Sequence, residues 1–254
     1  MRHAKSATPP PAPWRRPDLL RLSYDDYRAL PAIANSDLSR LRDALNGRPR
    51  RESSGGTSAL SFGTAFHTAL LEPEQYVPSY PAVNDTLVWW LVEGVRLRDD
   101  LRQMLDQGVA EPSCVFTEPV TNTMCKLRAD LVVDVPGQPY TVIDFKTTLA
   151  RDYEHFVAQC SGYDYDRQAA FYLDALHADR FLLVGVQKQP PHHLFVYEVP
   201  PHMLAEGRAN YLRLLRLLDP SKLPGYLDPA VREVVLDLGH TPPEQEDDPA
   251  PAAE

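Results

Sequence analysis

The chain has 254 residues, of which 43% are hydrophobic and 24% are charged, and its formal net charge is −9. This length is sufficient for a large core, and the proportions exclude a wholly disordered chain. There is no apolar run long enough for a membrane span and no apolar stretch typical of a secretory signal, so we expect a cytoplasmic protein. The net charge argues against a protein that coats nucleic acid through bulk positive charge.

Both ends of the chain have the composition of solvated tails. Five prolines fall within residues 9–17, and the last eleven residues, EQEDDPAPAAE, carry five acidic residues and no basic one. Without those five charges the net charge of the remainder is only −4. Such segments cannot bury enough apolar surface to offset the entropy of ordering. We predict disordered tails at residues 1–18 and 241–254 and a single domain at residues 19–240.

Between the tails, the pattern of apolar residues predicts a mixed α/β domain with a central, antiparallel-rich sheet flanked by helices. The predicted helices comprise residues 36–45 with Ser36 as N-cap, 60–72, 87–107 with Gly108 as C-cap, 153–160, 166–176 and 203–218. The predicted strands comprise residues 114–120, 124–133, 140–147, 180–187 and 194–199.

Two aspartates and a lysine lie on neighbouring predicted strands. Asp130 is part of KLRADLVVD, and Asp144 and Lys146 follow one short hairpin later in VIDFKTT. Because side chains alternate along a strand, Asp144 and Lys146 should share one face, and the two carboxylates should approach each other across the strand pair. Two carboxylates repel each other unless a cation lies between them, and Mg²⁺ or Mn²⁺ would suit these oxygen ligands.

A lysine beside such a metal site could orient or deprotonate an attacking water, or stabilise a pentavalent phosphate. The pattern therefore indicates phosphodiester hydrolysis. The alternative is an inert, solvated ion pair between Asp144 and Lys146.

Polar residues on two predicted helices extend the pattern. Gln168 and Tyr172 are four residues apart in QAAFY and share a helical face, from which they could hydrogen-bond a phosphate or hold the lysine. His67 interrupts the apolar helix FGTAFHTALLE and is a candidate metal ligand. The alternatives are ordinary surface polarity for the first pair and a hydrogen-bonded core histidine for His67.

Together these segments resemble the PD-(D/E)xK nuclease superfamily, and most closely its phage and prophage exonuclease VIII (RecE-type) branch. The resemblance rests on FGTAFHTALLEPE, CKLRADLVVD, VIDFKTT and YDYDRQAAFYLDAL, with LSYDDYRALPAIANSDLSRLRDAL before them and PGYLD after them. It covers roughly residues 20–240 and implies a restriction-endonuclease-like core.

The resemblance also implies a role for each residue of the pattern. The metal ligands would be His67, Asp130, Asp144 and the backbone carbonyl of Phe145; Lys146 would be the catalytic lysine; and Gln168 and Tyr172 would be the Q-x-x-x-Y element of RecB-like nucleases. Glu118 matches an acidic position of many members and is a further candidate ligand. The alternative for Glu118 is an exposed glutamate on an edge strand.

The function implied by this family is Mg²⁺- or Mn²⁺-dependent exonuclease action, 5′→3′, on double-stranded DNA ends, as in phage lambda exonuclease. Such enzymes produce single strands for recombination by annealing. The resemblance implies a single-strand annealing protein as partner and a homo-oligomeric ring of three or four subunits. The alternatives are a structure- or sequence-specific endonuclease of the same fold and a non-catalytic DNA-binding or assembly module.

Other residues receive simpler interpretations. Possible phosphate contacts, or else solvated surface, are Arg128, Arg151 and Arg167 and the predicted loop residues Arg48, Arg50 and Arg51. Glu72 and Glu74 are expected to be surface charges. Three cysteines are too few for a disulfide framework or for the four-cysteine iron–sulfur cluster of some superfamily members, so Cys114, Cys125 and Cys160 are expected to be small core residues.

Overall fold

The computed structural model describes residues 16–47, 58–79 and 81–218 of the chain. Most of the predicted N-terminal tail, the whole acidic tail, the segment around Gly225 and the basic loop residues Arg48, Arg50 and Arg51 lie outside the described residues.

The described residues form a mixed α/β fold, as predicted. The helices are α1 Tyr24–Ala29, α2 Asn35–Leu45, α3 Ser58–Leu71, α4 Asp85–Leu97, α5 Asp99–Gln107, α6 Tyr153–Gly162, α7 Tyr165–Leu176 and α8 Pro201–Leu217, with a short 3-10 helix at Pro73–Gln75. The strands are β1 Val109–Ala110, β2 Ser113–Glu118, β3 Thr123–Arg128, β4 Leu131–Val133, β5 Thr141–Thr148, β6 Arg180–Gln187 and β7 Leu194–Glu198. Among the helices of the described residues, none combines the length and apolar character that crossing a bilayer requires.

Five strands form one mixed sheet in the order β1-β4-β5-β6-β7. The pair β5–β6 is parallel, and the other neighbours are antiparallel. Helices α6 and α7 connect the two parallel strands, which is the crossover that a parallel pair requires. Strands β2 and β3 form a separate antiparallel hairpin.

The prediction of one continuous strand over residues 124–133 is wrong. β3 pairs with β2 in the hairpin, whereas β4 pairs with β1 and β5 in the main sheet. The chain changes sheets at residues 129–130, and Asp130 therefore immediately precedes a short strand that adjoins β5.

The prediction of one helix over residues 87–107 is also wrong. Arg98 has an extended backbone, with φ −86° and ψ 111°, and separates α4 from α5. The carboxylate of Asp100 accepts hydrogen bonds from the Leu101 main chain (2.9 Å) and the Arg98 guanidinium (2.8 Å), which stabilises a new helix start. The C-cap at Gly108 is confirmed.

The start of α2 also differs from its prediction. Ser36 lies inside the helix, because α2 begins at Asn35. The main-chain N–H of Ala34 donates to the carboxylate of Asp37 at 2.9 Å and closes this end of the helix.

Helices cover both faces of the sheet, and β5 contributes to both cores. Ile143 and Phe145 pack on the side of α3 and α4, with Phe66 and Val92. Val142 packs in the core on the opposite side, to which α7 contributes. The alternation along β5 therefore directs Asp144 and Lys146 toward the α7 side.

Helices α7 and α8 approach each other closely at Gly207. A Cβ atom at this position would lie 2.1 Å from the carbonyl oxygen of Asp166 and 2.8 Å from the main-chain nitrogen of Arg167. Both atoms belong to the first turn of α7, the helix that carries Gln168 and Tyr172. A side chain here would have to displace that helix.

We expect Gly207→Ala to lower the free energy of unfolding by about 1–3 kcal/mol, because the methyl group overpacks against the main chain of α7. Gly94→Ala is the matched control: nothing lies within 4 Å of its Cβ position in α4. It should leave stability unchanged or raise it by up to about 1 kcal/mol through helix propensity. Urea unfolding of both variants measures the difference, and equal changes would contradict the steric argument.

Candidate active site

The Asp130 carboxylate lies where β4 begins beside β5. Its Oδ2 accepts a hydrogen bond from the main-chain N–H of Phe145 at 2.7 Å. The same oxygen lies 3.4 Å from Nδ1 of His67, which α3 brings to this edge of the sheet. Strand geometry directs the carbonyl oxygen of Phe145 to the same side as its N–H. The structure thus brings together three of the predicted ligands.

Asp144 and Lys146 lie on one face of β5, as the alternation predicts. Oδ2 of Asp144 is 2.6 Å from Nζ of Lys146. Asp144 is only 2% exposed, whereas the Lys146 side chain is 24% exposed. Apart from this ion pair, Oδ2 of Asp144 has no hydrogen-bond partner in the described part of the chain, although the atom is buried.

Glu111 is a further acidic residue of the site, which the sequence reasoning missed. It follows β1, and its main-chain N–H donates to the carbonyl oxygen of Asp130 at 2.9 Å. One ligand atom from each of His67, Glu111 and Asp130 can be chosen so that all three lie within 4.8 Å of one another. Glu111 has φ +51° and precedes a proline, so no periodic pattern marked it. In the sequence, the one feature that could have identified Glu111 is its position just before β2, the strand that pairs with residues 126–128.

The structure does not bring Glu118 to this cluster. Glu118 lies at the far end of the β2–β3 hairpin, seven residues from Glu111. Its carboxylate accepts hydrogen bonds from the main chain of Val120 at 3.0 Å and of Thr121 at 2.7 Å, and from the Thr121 hydroxyl at 2.6 Å. Glu118 is buried, so the alternative of an exposed glutamate is also wrong.

Gln168 and Tyr172 both point into the site from α7. Nε2 of Gln168 donates to Oδ1 of Asp144 at 2.7 Å, and the Tyr172 hydroxyl donates to the carbonyl oxygen of Arg128 at 3.1 Å. Tyr172 is 9% exposed. The pair therefore holds an acidic side chain and the main chain just before Asp130, rather than the lysine.

Arg128 and Arg167 are engaged inside the protein. Nε of Arg128 lies 2.5 Å from the Glu111 carboxylate, and another nitrogen of the same guanidinium lies 3.6 Å from the carboxylate of Glu72. Arg167 is 2% exposed and donates to Asn35 at 2.9 Å. Neither guanidinium is presented to a phosphate in this structure, and Glu72 is a partner of the Arg128 network rather than a simple surface charge.

Arg151 and Glu74 are exposed, and the three cysteines are buried, as expected of core residues.

The charged groups of the site shift one another's pKa values because they lie close together and largely out of solvent. Burial alone would lower the pKa of His67, but the Asp130 carboxylate outweighs it and the pKa is raised. Burial and the nearby Asp130 raise the pKa of Asp144, although Lys146 opposes the shift. The two aspartates outweigh burial and raise the pKa of Lys146, so this residue stays an ammonium ion.

The donor set fits a hard divalent cation. It combines one imidazole nitrogen with the carboxylate oxygens of Glu111 and Asp130. Beside it, the buried Oδ2 of Asp144 has no partner among the described residues other than the Lys146 ammonium. Burial and the neighbouring Asp130 raise the pKa of Glu111, which indicates that a further cation would relieve repulsion between the carboxylates. His67, Glu111, Asp130 and Asp144 are the side chains that could hold one.

We expect Glu111→Gln to weaken Mn²⁺ binding about 10- to 100-fold, the range typical of losing a group that supports a metal site. Glu118→Gln is the matched control, because that carboxylate holds a turn elsewhere and should affect stability alone. Isothermal titration calorimetry measures both affinities. Equal affinities in the two variants would show that Glu111 takes no part in metal binding.

Comparison with known proteins places this geometry in a family. The model of a PDDEXK-like domain of unknown function (DUF3799) matches residues 39–222. A solved structure described as a "Putative exonuclease" from Eubacterium rectale shares 14% identity, with a TM-score of 0.56, over 86% of this chain and 88% of that chain. The structure of SSO0001 shares 15% identity over 70% of this chain and 85% of that chain, with a TM-score of 0.31. No match was found among curated proteins.

The family match spans well over half of the chain and includes every residue of the cluster. The chain therefore belongs to the PDDEXK-like domain family DUF3799 and, with it, to the PD-(D/E)XK nuclease superfamily.

Proposed function

We propose that this protein is a divalent-metal-dependent exonuclease that degrades double-stranded DNA from its ends. The observation that carries the proposal is the cluster of His67, Glu111 and Asp130, which the main chain of Phe145 joins to β5 between Asp144 and Lys146. The nuclease family and its fold support the same activity.

The metal would be held by His67, Glu111 and Asp130, whose ligand atoms lie within 4.8 Å of one another, and by Asp144 and the carbonyl oxygen of Phe145 from β5. A bound Mg²⁺ or Mn²⁺ would supply Lewis-acid polarisation of the phosphate and lower the pKa of a water molecule. The Phe145 N–H fixes the Asp130 carboxylate before any ligand arrives.

Lys146 is the cationic group available to the substrate. Its side chain is partly exposed, while its partner Asp144 is almost fully buried. An ammonium group in this position stabilises the negative charge that develops on a phosphate during hydrolysis. If Lys146 contacts a phosphate instead of Asp144, the Asp144 carboxylate becomes free to bind the cation.

Gln168 and Tyr172 act as positioning residues in this scheme. Gln168 fixes the orientation of the Asp144 carboxylate, and Tyr172 fixes the main chain two residues before Asp130. Such support keeps ligands within the narrow range of positions that catalysis requires.

The finer features of the proposal come from the resemblance to exonuclease VIII. They are 5′→3′ polarity, a ring of identical subunits that encloses DNA, and a single-strand annealing protein that receives the product. In this scheme, the partly exposed Lys146 would face the DNA inside the ring.

We expect Asp144→Asn and Lys146→Met to lower metal-dependent DNA cleavage by about 100-fold or more, because each removes charge from the reacting centre. The control is Asp99→Asn, whose carboxylate is 82% exposed and pairs with Arg102 on the surface, so its loss should cost little. Release of labelled nucleotides from duplex DNA measures the rates. Wild-type activity in both site variants would contradict the assignment.

Substrate form separates an exonuclease from an endonuclease. We expect linear duplex DNA to be degraded in the presence of Mg²⁺, and both circular duplex DNA and linear duplexes blocked at both ends to stay intact. The physical reason is that an end-dependent enzyme needs a free terminus to place a strand at Lys146. Nicking of the circular DNA by the wild type, lost in Asp144→Asn, would instead establish an endonuclease.

A further inference from the structure

The ring of Tyr165, at the start of α7, lies next to Lys146, and the ring of Tyr163 lies next to that of Tyr165. The centroid of the Tyr165 ring is 5.0 Å from Nζ of Lys146. The ring of Tyr163 lies 5.7 Å from that of Tyr165, with an angle of 33° between their planes. Tyr165 is half-buried and Tyr163 is 62% exposed. The two rings, the tyrosine pair, thus lead from Lys146 toward the solvent.

The segment that carries the tyrosine pair is firmly anchored. Asp164, between the two tyrosines, has a left-handed backbone (φ +55°), and its carboxylate pairs with Arg42 of α2 and with Arg167, at 3.1 Å. The main-chain N–H of Tyr163 donates to the carbonyl oxygen of Gln159 at 3.0 Å, and α6 ends at this point. The main chain that carries both rings is therefore held in place without a ligand, which lowers the entropic cost of binding one.

An exposed aromatic ring beside a cation is the arrangement with which proteins bind unpaired nucleotides. The bases stack on the rings, and the cation attracts the phosphate backbone. Stacking of this kind accepts every base, because each base has an aromatic face.

We propose that the tyrosine pair is a stacking site for an unpaired nucleobase next to the phosphate that Lys146 contacts. The inference rests on the proposed function, because it needs a nucleic-acid phosphate at Lys146. An internal base of a duplex has both faces covered by its neighbours, so any base beyond the terminal one must leave the duplex before it can stack on these rings. The pair would then hold the end of the strand in its separated form.

A second pair of tyrosines provides a control. Tyr153 is 43% exposed, and its ring lies 6.3 Å from that of Tyr197 on β7. Strand β7 is the edge of the sheet farthest from β1 and β4. An alanine at Tyr153 removes an exposed ring of the same kind from another part of the surface.

The experiment compares two single-stranded substrates that differ only in their bases. One oligonucleotide is complete, and the other lacks the bases of the two nucleotides at each end. The wild type should cleave the complete strand with a kcat/KM about 5- to 150-fold higher, the range that stacking on one aromatic side chain represents. Tyr163→Ala should lose this preference. Tyr163→Phe, which keeps the ring, should retain it, as should Tyr153→Ala.

The pattern of loss decides between stacking and a structural role. If Tyr163→Ala keeps the preference for the complete strand, or lowers kcat/KM equally on both strands, the stacking site is refuted. The unfolding temperature of each variant checks that the fold is intact.

A second measurement separates this proposal from the proposed function. Stacking of a terminal 2-aminopurine quenches its fluorescence, which we expect for the wild type and not for Tyr163→Ala. If the wild type cleaves no DNA but quenches the probe through Tyr163, the nuclease proposal fails while the base site stands. Equal quenching by both proteins would overturn the base site, whatever the cleavage results.

Discussion

The hydrogen bond from the main chain of Phe145 to the Asp130 carboxylate holds the site together. Strand β4 pairs with β5 over only three residues, so the main chain of Phe145 extends beyond the last β4 partner. A buried N–H at that point needs an acceptor, and the Asp130 side chain provides it. The same bond fixes one carboxylate relative to the strand that carries the other, Asp144.

The site around this bond consists of charged groups, only partly accessible to solvent, that are arranged in pairs. Asp130 is close to His67, Asp144 to Lys146 and Glu111 to Arg128. Withdrawing an unpaired charge from water costs several kcal/mol, so each acidic group of a buried metal site needs a basic neighbour while the metal is absent. Two of the pairs also join separate elements: His67 and Asp130 join α3 to the start of β4, and Glu111 and Arg128 join the segment after β1 to β3.

The packing of the helices around the site determines which side chains they direct toward it. Helix α3 buries an apolar face with Phe66 and thereby presents His67 to the sheet edge. Helix α7 lies close against α8 at Gly207 and directs Gln168 and Tyr172 toward the carboxylates. Asp144 and Lys146 thus come from the sheet, His67 comes from α3, and the side chain that orients Asp144 comes from α7.

The local sequence pattern was sufficient to predict the structure of segments whose own periodicity governs their conformation. The predicted strand over residues 180–187 agrees with β6, and alternation along β5 placed Asp144 and Lys146 on one face. The same reasoning predicted the mixed α/β class, whereas the family resemblance assigned site roles to His67, Asp130, Gln168 and Tyr172. Tertiary structure alone decided that residues 124–133 divide between two sheets, since an apolar strand looks the same whichever partner it has. It also decided that Glu111, and not Glu118, lies beside Asp130, because that proximity depends on how the chain crosses from β1 to the hairpin and back to β4. Periodicity depends on residues that are neighbours in the sequence, whereas the site is formed by residues that are distant in the sequence and close in space.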